Sequence, residues 1–184
     1  ARVEIPVFEI APETAGVDPR IFRLANDGPI VLGVDRTGLR FERARIVGAE
    51  TDLEASGLLG FGSANALQMR IRGDVNLAVL HDLDPDLTAS GHSTLDATIR
   101  GRLSEPEIFG RMEFRDGSFY LSDVPNGIDK ASGVILFSRD RATIEKLTAE
   151  TGGGRLSFSG FVGFGGPQVV YRVQAGAQQV RVRY

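Results

Sequence analysis

The sequence contains no cysteine and no tryptophan, and only 2 methionines, 3 tyrosines and 8 prolines among 184 residues. Without cysteine there are no disulfides, no thiolate metal ligands and no cysteine nucleophile. With no tryptophan and few tyrosines there is no aromatic platform for stacking on sugars. His81 and His92 are the only histidines, neither stands at ligand or triad spacing from a partner set, and both read as ordinary surface or loop residues. The formal charge of −3 gives no global electrostatic case for nucleic acid. No apolar run approaches the ~20 residues of a membrane helix, and the longest candidate, Gly133 to Ser138, is strand-sized. Glycine, in contrast, is abundant: 23 residues, about 12% against a typical ~7%. The chain is 42% hydrophobic, too apolar for a disordered segment.

The dominant periodicity is two. Leu67, Met69 and Ile71 alternate with polar residues, as do Leu95, Ala97 and Ile99, Met112 and Phe114, Leu156 and Phe158, Val169, Tyr171 and Val173, and Val180, Val182 and Tyr184. Alternation of this kind puts apolar side chains on one face of a sheet and polar ones on the other. Turn signals separate the runs: Asp27-Gly28-Pro29, Arg36-Thr37-Gly38, Asp116-Gly117, Pro125-Asn126-Gly127, Gly152-Gly153-Gly154 and Gly165-Gly166-Pro167. Their spacing predicts an all-β antiparallel meander. A short helical turn is expected only near Leu77–Leu87, where Pro85 limits it. Gly57 and Gly160, inside predicted strands, mark expected kinks or bulges.

The chain also resembles itself. At an offset of 103 residues, Phe41–Gly62 falls on Ile144–Gly165 with seven identities in 22 positions, among them Ser56-Gly57 on Ser159-Gly160 and Gly60-Phe61-Gly62 on Gly163-Phe164-Gly165. The expected organisation is a single stretch, 1–184, of a stacked β array with repeat units of about 30–100 and 101–184. Both ends stop within a pattern, so the chain reads as a segment of a longer polypeptide.

No catalytic constellation emerges, and the chain reads as a non-enzyme without cofactor or metal. Asp82, Asp84 and Asp86 imitate the start of a calcium loop, but Leu87 and Ser93 stand where it needs Gly and Glu. The glycine clusters at 60–62 and 152–154 are followed by strands, whereas a phosphate loop needs a helix there. Gly-x-Ser-x-Gly does not occur. Arg72-Gly73-Asp74 spells an adhesion tripeptide but lies in a predicted strand or its turn. Arginine outnumbers lysine 19 to 2, and Arg70, Arg72, Arg181 and Arg183 alternate with apolar residues, which places them on the outer face of a sheet. What remains is the apolar face. It forms either the core of a closed sandwich or barrel, or the lining of an open groove that an apolar ligand or partner covers. Alternation alone does not separate the two.

One stretch carries a family resemblance. Leu95 to Gly117 runs as a strand ending in Gly101, then Ser104-x-Pro106-x-Ile108-x-Gly110, then an alternating strand with Met112 and Phe114 leading into Gly117. This order is similar to that of the TamB proteins, the translocation and assembly module subunit and its AsmA-like relatives of Gram-negative envelopes. Pro125–Asp129, Ala131–Phe137 and Arg141–Gly160 resemble the strands that follow in that family. The resemblance covers about Leu87 to Tyr184, reaches Ile30 to Val79 loosely through the repeat, and does not extend to residues 1–29.

The resemblance implies a β-taco, one long antiparallel sheet curled into a hydrophobic groove, in a periplasmic protein whose full length is anchored in the inner membrane. It implies passage of phospholipid toward the outer membrane, and a BamA-like outer-membrane barrel partner for the full-length protein. A periplasmic assembly factor or chaperone for outer-membrane β-barrels is the alternative. The expected groove lining is Leu67, Met69, Ile71, Leu95, Ala97, Ile99, Met112, Phe114, Leu156, Phe158, Val169, Tyr171, Val173, Val180 and Val182. About twelve strands would make a groove of roughly 55–60 Å. A secreted β-solenoid adhesin or lyase is also glycine-rich and cysteine-free, but its coils repeat every ~20–25 residues. An outer-membrane barrel needs aromatic girdles that this composition lacks. The run from Val180 to Tyr184 is β-prone, so edge-to-edge self-association through it is expected.

Overall fold

The alternating runs become strands of one antiparallel sheet. The structure, a computed structural model, describes residues 1–10, 24–48, 50–62, 66–82, 86–122, 126–166 and 168–181. Its strands are β1 (Arg2–Ile5), β2 (Glu9–Ile10), β3 (Leu24–Asn26), β4 (Ile30–Val34), β5 (Gly38–Gly48), β6 (Thr51–Gly60), β7 (Ala66–Asn76), β8 (Leu87–Arg102), β9 (Glu105–Leu121), β10 (Ile128–Arg139), β11 (Arg141–Thr151), β12 (Gly154–Gly163) and β13 (Val170–Gln178). From β4 to β13 every strand pairs with its neighbour in sequence. β1 pairs along the outer side of β4, and β3 joins β2 to β5. The main path of eleven strands is about 48 Å long at ~4.8 Å per step. Among the described residues there is no α-helix; Leu77–Asp82 forms a 3₁₀ turn, inside the segment expected to hold one.

The sheet is open. β1 and β13 lie at opposite ends of the path, and few large side chains are buried. Of the buried hydrophobics, Ala44, Ala89, Ala97, Ala131 and Ala149 are small; Ile30 and Leu32 cluster with Ala44 near the β1 end. The chain exposes 12164 Å², against about 8,600 Å² for a compact monomer of this mass. A sandwich would bury Leu67, Met69, Met112, Phe114, Leu156 and Phe158 of β7, β9 and β12, which are instead only half-buried.

Two hairpins share one design. β5–β6 and β11–β12 have the same bounds at an offset of 103 residues. Their registers agree as well: Phe41 faces Gly57 and Ile144 faces Gly160, each followed by a bulge that resumes at Ala44–Ala55 and Leu147–Phe158. Gly57 and Gly160 have φ of +145° and +135°, and a Cβ on either would lie 2.1 Å from a carbonyl oxygen of the next strand. These are the sites where the sequence predicts kinks.

Asp116-Gly117 reads as a hairpin turn but lies inside β9, which is 17 residues long. Asp116 takes φ +49° at a bulge between the pairs Ser90–Ser118 and His92–Arg115. Its N–H is satisfied by Ser132 Oγ at 3.2 Å, so the strand continues past it. Next to this bulge Leu77 is 1% exposed. A Cβ on Gly117 would lie 3.1 Å from Leu77 Cδ1, so the leucine fills the space over that glycine. Leu77→Ala empties it, with an expected loss of about 2–5 kcal/mol, measured by urea denaturation.

Candidate functional site

Residues directly opposite in an antiparallel ladder share a face, so the registers can be followed across the sheet. One row runs Ala44–Ala55–Ile71–Ala97–Gly110–Phe137–Ala142–Val162–Tyr171. The next runs Ile46–Leu53–Gly73–Leu95–Met112–Ile135–Ile144–Gly160–Val173. Both cross all nine strands from β5 to β13 without a charged or hydrogen-bonding side chain, apart from the Tyr171 hydroxyl at the end. On one side of them lies Phe41–Gly57–Met69–Ile99–Ile108, a row that ends at Arg139, the partner of Ile108 on β10. On the other lies Val75–Ser93–Phe114–Gly133–Leu147–Phe158–Ala175. Ser93 is the one polar residue of that row; it is 1% exposed and its hydroxyl donates to the Val75 carbonyl at 3.5 Å.

The opposite face holds the charges, in pairs. Arg45 binds Asp52 through two parallel hydrogen bonds, 2.8 and 2.6 Å, and reaches Asp27 at 2.7 Å. The guanidinium holds the Asp52 carboxyl below its ordinary range, and the carboxylate raises the pKa of Arg45. Arg72 meets Glu54 at 2.7 Å, Arg70 meets Asp96 at 3.1 Å and Lys130 meets Glu150 at 2.9 Å. Glu113 accepts from Arg115 and Arg111, both of which lower its pKa. Such exposed pairs contribute little to stability. A cleft beside Arg70 is lined by Arg40, Gln68 and Arg100 together with Phe41, Leu58 and Met69.

Of the residues expected to line a groove, Leu67, Met69, Ile71, Leu95, Ala97, Ile99, Met112, Phe114, Leu156, Phe158, Tyr171 and Val173 all fall on the apolar face by register. Val169 does not belong to the ladder: it precedes β13 and is exposed. Val180 does not either. Gln179 takes φ +57° and ends the strand, and the Arg181 N–H then bonds the Gly152 carbonyl at 3.2 Å. Val182 lies outside the described residues. The sequence reading missed Phe41, Ala44 and Ile46 on β5 and Ile144, Leu147 and Ala149 on β11, because a bulge in each strand reverses the parity of its alternation midway. It also missed Ile135 and Phe137, hidden in the continuous apolar run of β10. The shared offset of the two hairpins is the signal that locates both bulges.

Compared with family models, curated proteins and solved structures, the chain matches none.

Proposed function

We propose that this chain is a segment of a lipid-transfer conduit of the Gram-negative envelope, in which phospholipid acyl chains lie along the apolar face. The observation that carries the reading is the pair of nine-residue rows without a charged side chain from β5 to β13. With the flanking rows, which span five and seven of these strands, they make a strip about 38 Å long and up to about 20 Å wide, on the order of 600 Å² in projection, at the upper end of the ~300–600 Å² patches that are often functional on a monomer. Transfer of a methylene from water onto such a surface gains about 0.8 kcal/mol. A strip uniform in chemistry returns the same gain at each step, so no one position traps the chain. Glycines within the rows leave room for the sheet to bend toward this face, and the strip then becomes a groove. The matched hairpins β5–β6 and β11–β12 fit two copies of one unit in an extended array.

Native mass spectrometry of the chain purified from a Gram-negative host tests the proposal. Phospholipid adducts that survive size exclusion and are displaced by a fluorescent phosphatidylethanolamine are the expected result. Absence of adducts together with no saturable binding of the probe would overturn it.

A further inference from the structure

The cleft beside Arg70 is rich in hydrogen-bond donors. It measures about 560 Å³ and lies over β5–β8, where Ser56 and Thr98 join Arg40, Gln68, Arg70 and Arg100 in lining it. The registers place these residues on one face in two adjacent rows, Arg40–Leu58–Gln68–Arg100 and, beside it, Ser56–Arg70–Thr98. Arg40 and Arg100 stand three strand steps apart, about 14 Å between backbones, with Arg70 between them. Arg70 shares its charge with Asp96 at 3.1 Å. Arg40 and Arg100 form no ion pair among the described residues, unlike Arg45, Arg72, Arg111 and Arg115 on the same face. The carboxylates closest to them in the ladder are directed elsewhere. Glu107, opposite Arg100, binds Arg139 at 3.2 Å. Glu42 also lines the cleft, but its Oε1 lies 3.4 Å from where a Cβ on Gly33 would stand, at the β4 side.

The fold itself does not call for these arginines. In the matching hairpin 103 residues on, Thr143 and Phe161 occupy the places of Arg40 and Leu58, and across the ladder Arg172 and Gln174 occupy those of Gln68 and Arg70. We propose that this cleft binds a small anion carrying two linked phosphate groups. Guanidinium N–H groups pair with phosphate oxygens in twos, and those of Arg40 and Arg100 are not taken up by a carboxylate. A diphosphate laid between them meets Arg40 at one end, Arg100 at the other and Arg70 along its length. Ser56, Gln68 and Thr98 supply further donors to its oxygens. The three arginines project from the face opposite the apolar rows, so the inference does not depend on the lipid reading.

Titration with sodium pyrophosphate, followed by NMR against sodium chloride at equal ionic strength, tests the site. Saturable shifts confined to Arg40, Ser56, Gln68, Arg70, Thr98 and Arg100 are expected, with orthophosphate binding at least fivefold more weakly. Arg40→Gln should lower the affinity for pyrophosphate about fivefold or more, while Arg172→Gln, on the same face of β13, should leave it unchanged. Both positions are exposed, and circular dichroism identical to wild type should show both variants folded. Phosphatidylcholine vesicles with and without a polyprenyl diphosphate separate the two sources of such a group. Cosedimentation that Arg40→Gln abolishes assigns the diphosphate to a lipid headgroup; pyrophosphate binding without cosedimentation assigns it to a soluble molecule, and either result upholds the site. Shifts that grow without saturation, or that spread equally to Arg72, Arg111 and Arg172, overturn the proposal, because they report a general attraction of anions to arginine. Equal loss of affinity in Arg40→Gln and Arg172→Gln overturns it as well.

Discussion

Gly57→Ala should abolish the native sheet, whereas Gly160→Ala should loosen only one end of it. Both glycines hold a positive φ that a residue with a side chain rarely adopts, at a cost of about 1–3 kcal/mol. Both also leave no room for a Cβ, which would stand 2.1 Å from the carbonyl oxygen of Gln68 in one case and of Arg172 in the other. The difference lies in what can move. Beyond Gly57 is β7, held on its far side along its whole length by β8; separating β6 from β7 divides the sheet in two. Gly57 is also crossed by Met69, whose Sδ would be 2.9 Å from the new Cβ. Beyond Gly160 is β13, an edge that can peel away. Against a total stability of ~5–15 kcal/mol, the strain and clash at Gly57 suffice to unfold the domain. Circular dichroism should therefore show loss of strand signal for Gly57→Ala. For Gly160→Ala, amide exchange should accelerate in β13 while β7–β9 stay protected. Equal behaviour of the two variants would contradict the position of β13 at the end of the described sheet.

The same two glycines show how much of this fold the sequence discloses. Where a strand is regular, as in β7 or β12, the alternation of Leu67, Met69 and Ile71 or of Leu156 and Phe158 is enough to assign each side chain to a face. A bulge removes that information, since a single extra residue reverses the parity, and composition does not mark it. In β5 and β11 the bulge is visible only through the opposing glycine and its recurrence 103 residues later. Asp116-Gly117 has the chemistry of a hairpin turn, yet a side chain distant in sequence, Ser132, satisfies the bulged amide and extends the strand. At the C-terminal end the alternation of Val180 with Arg181 is no guide, because left-handed Gln179 has already turned the chain. Local pattern therefore yields the faces; long-range hydrogen bonding decides where strands stop. The open character of the sheet lay beyond the pattern entirely, because an open strip and a closed core place the same demand on every second residue.

A charge placed on the apolar face separates those two demands. Met69→Arg and Phe158→Arg should both remain folded, with thermal midpoints within a few degrees of wild type. Each side chain is half-buried on an open face, so a guanidinium can extend its charged end into water while its methylenes lie on the sheet. In a closed core the same substitution would bury an unpaired charge and unfold the domain. Binding of the fluorescent phospholipid should respond differently, because acyl chains covering the strip cut off that escape and leave the charge desolvated, at a cost of several kcal/mol. At least a tenfold loss of affinity is expected for Met69→Arg, which interrupts the strip among the central strands. Val173→Arg, on the edge strand, should reduce affinity less, since it shortens the strip by one strand without dividing it. Arg100→Ala, on the charged face beside Ile99, should leave binding unchanged. Equal losses at Met69, Val173 and Arg100 would show that the probe does not lie along the apolar rows, and unfolding of both Met69→Arg and Phe158→Arg would mean that this face is covered in solution.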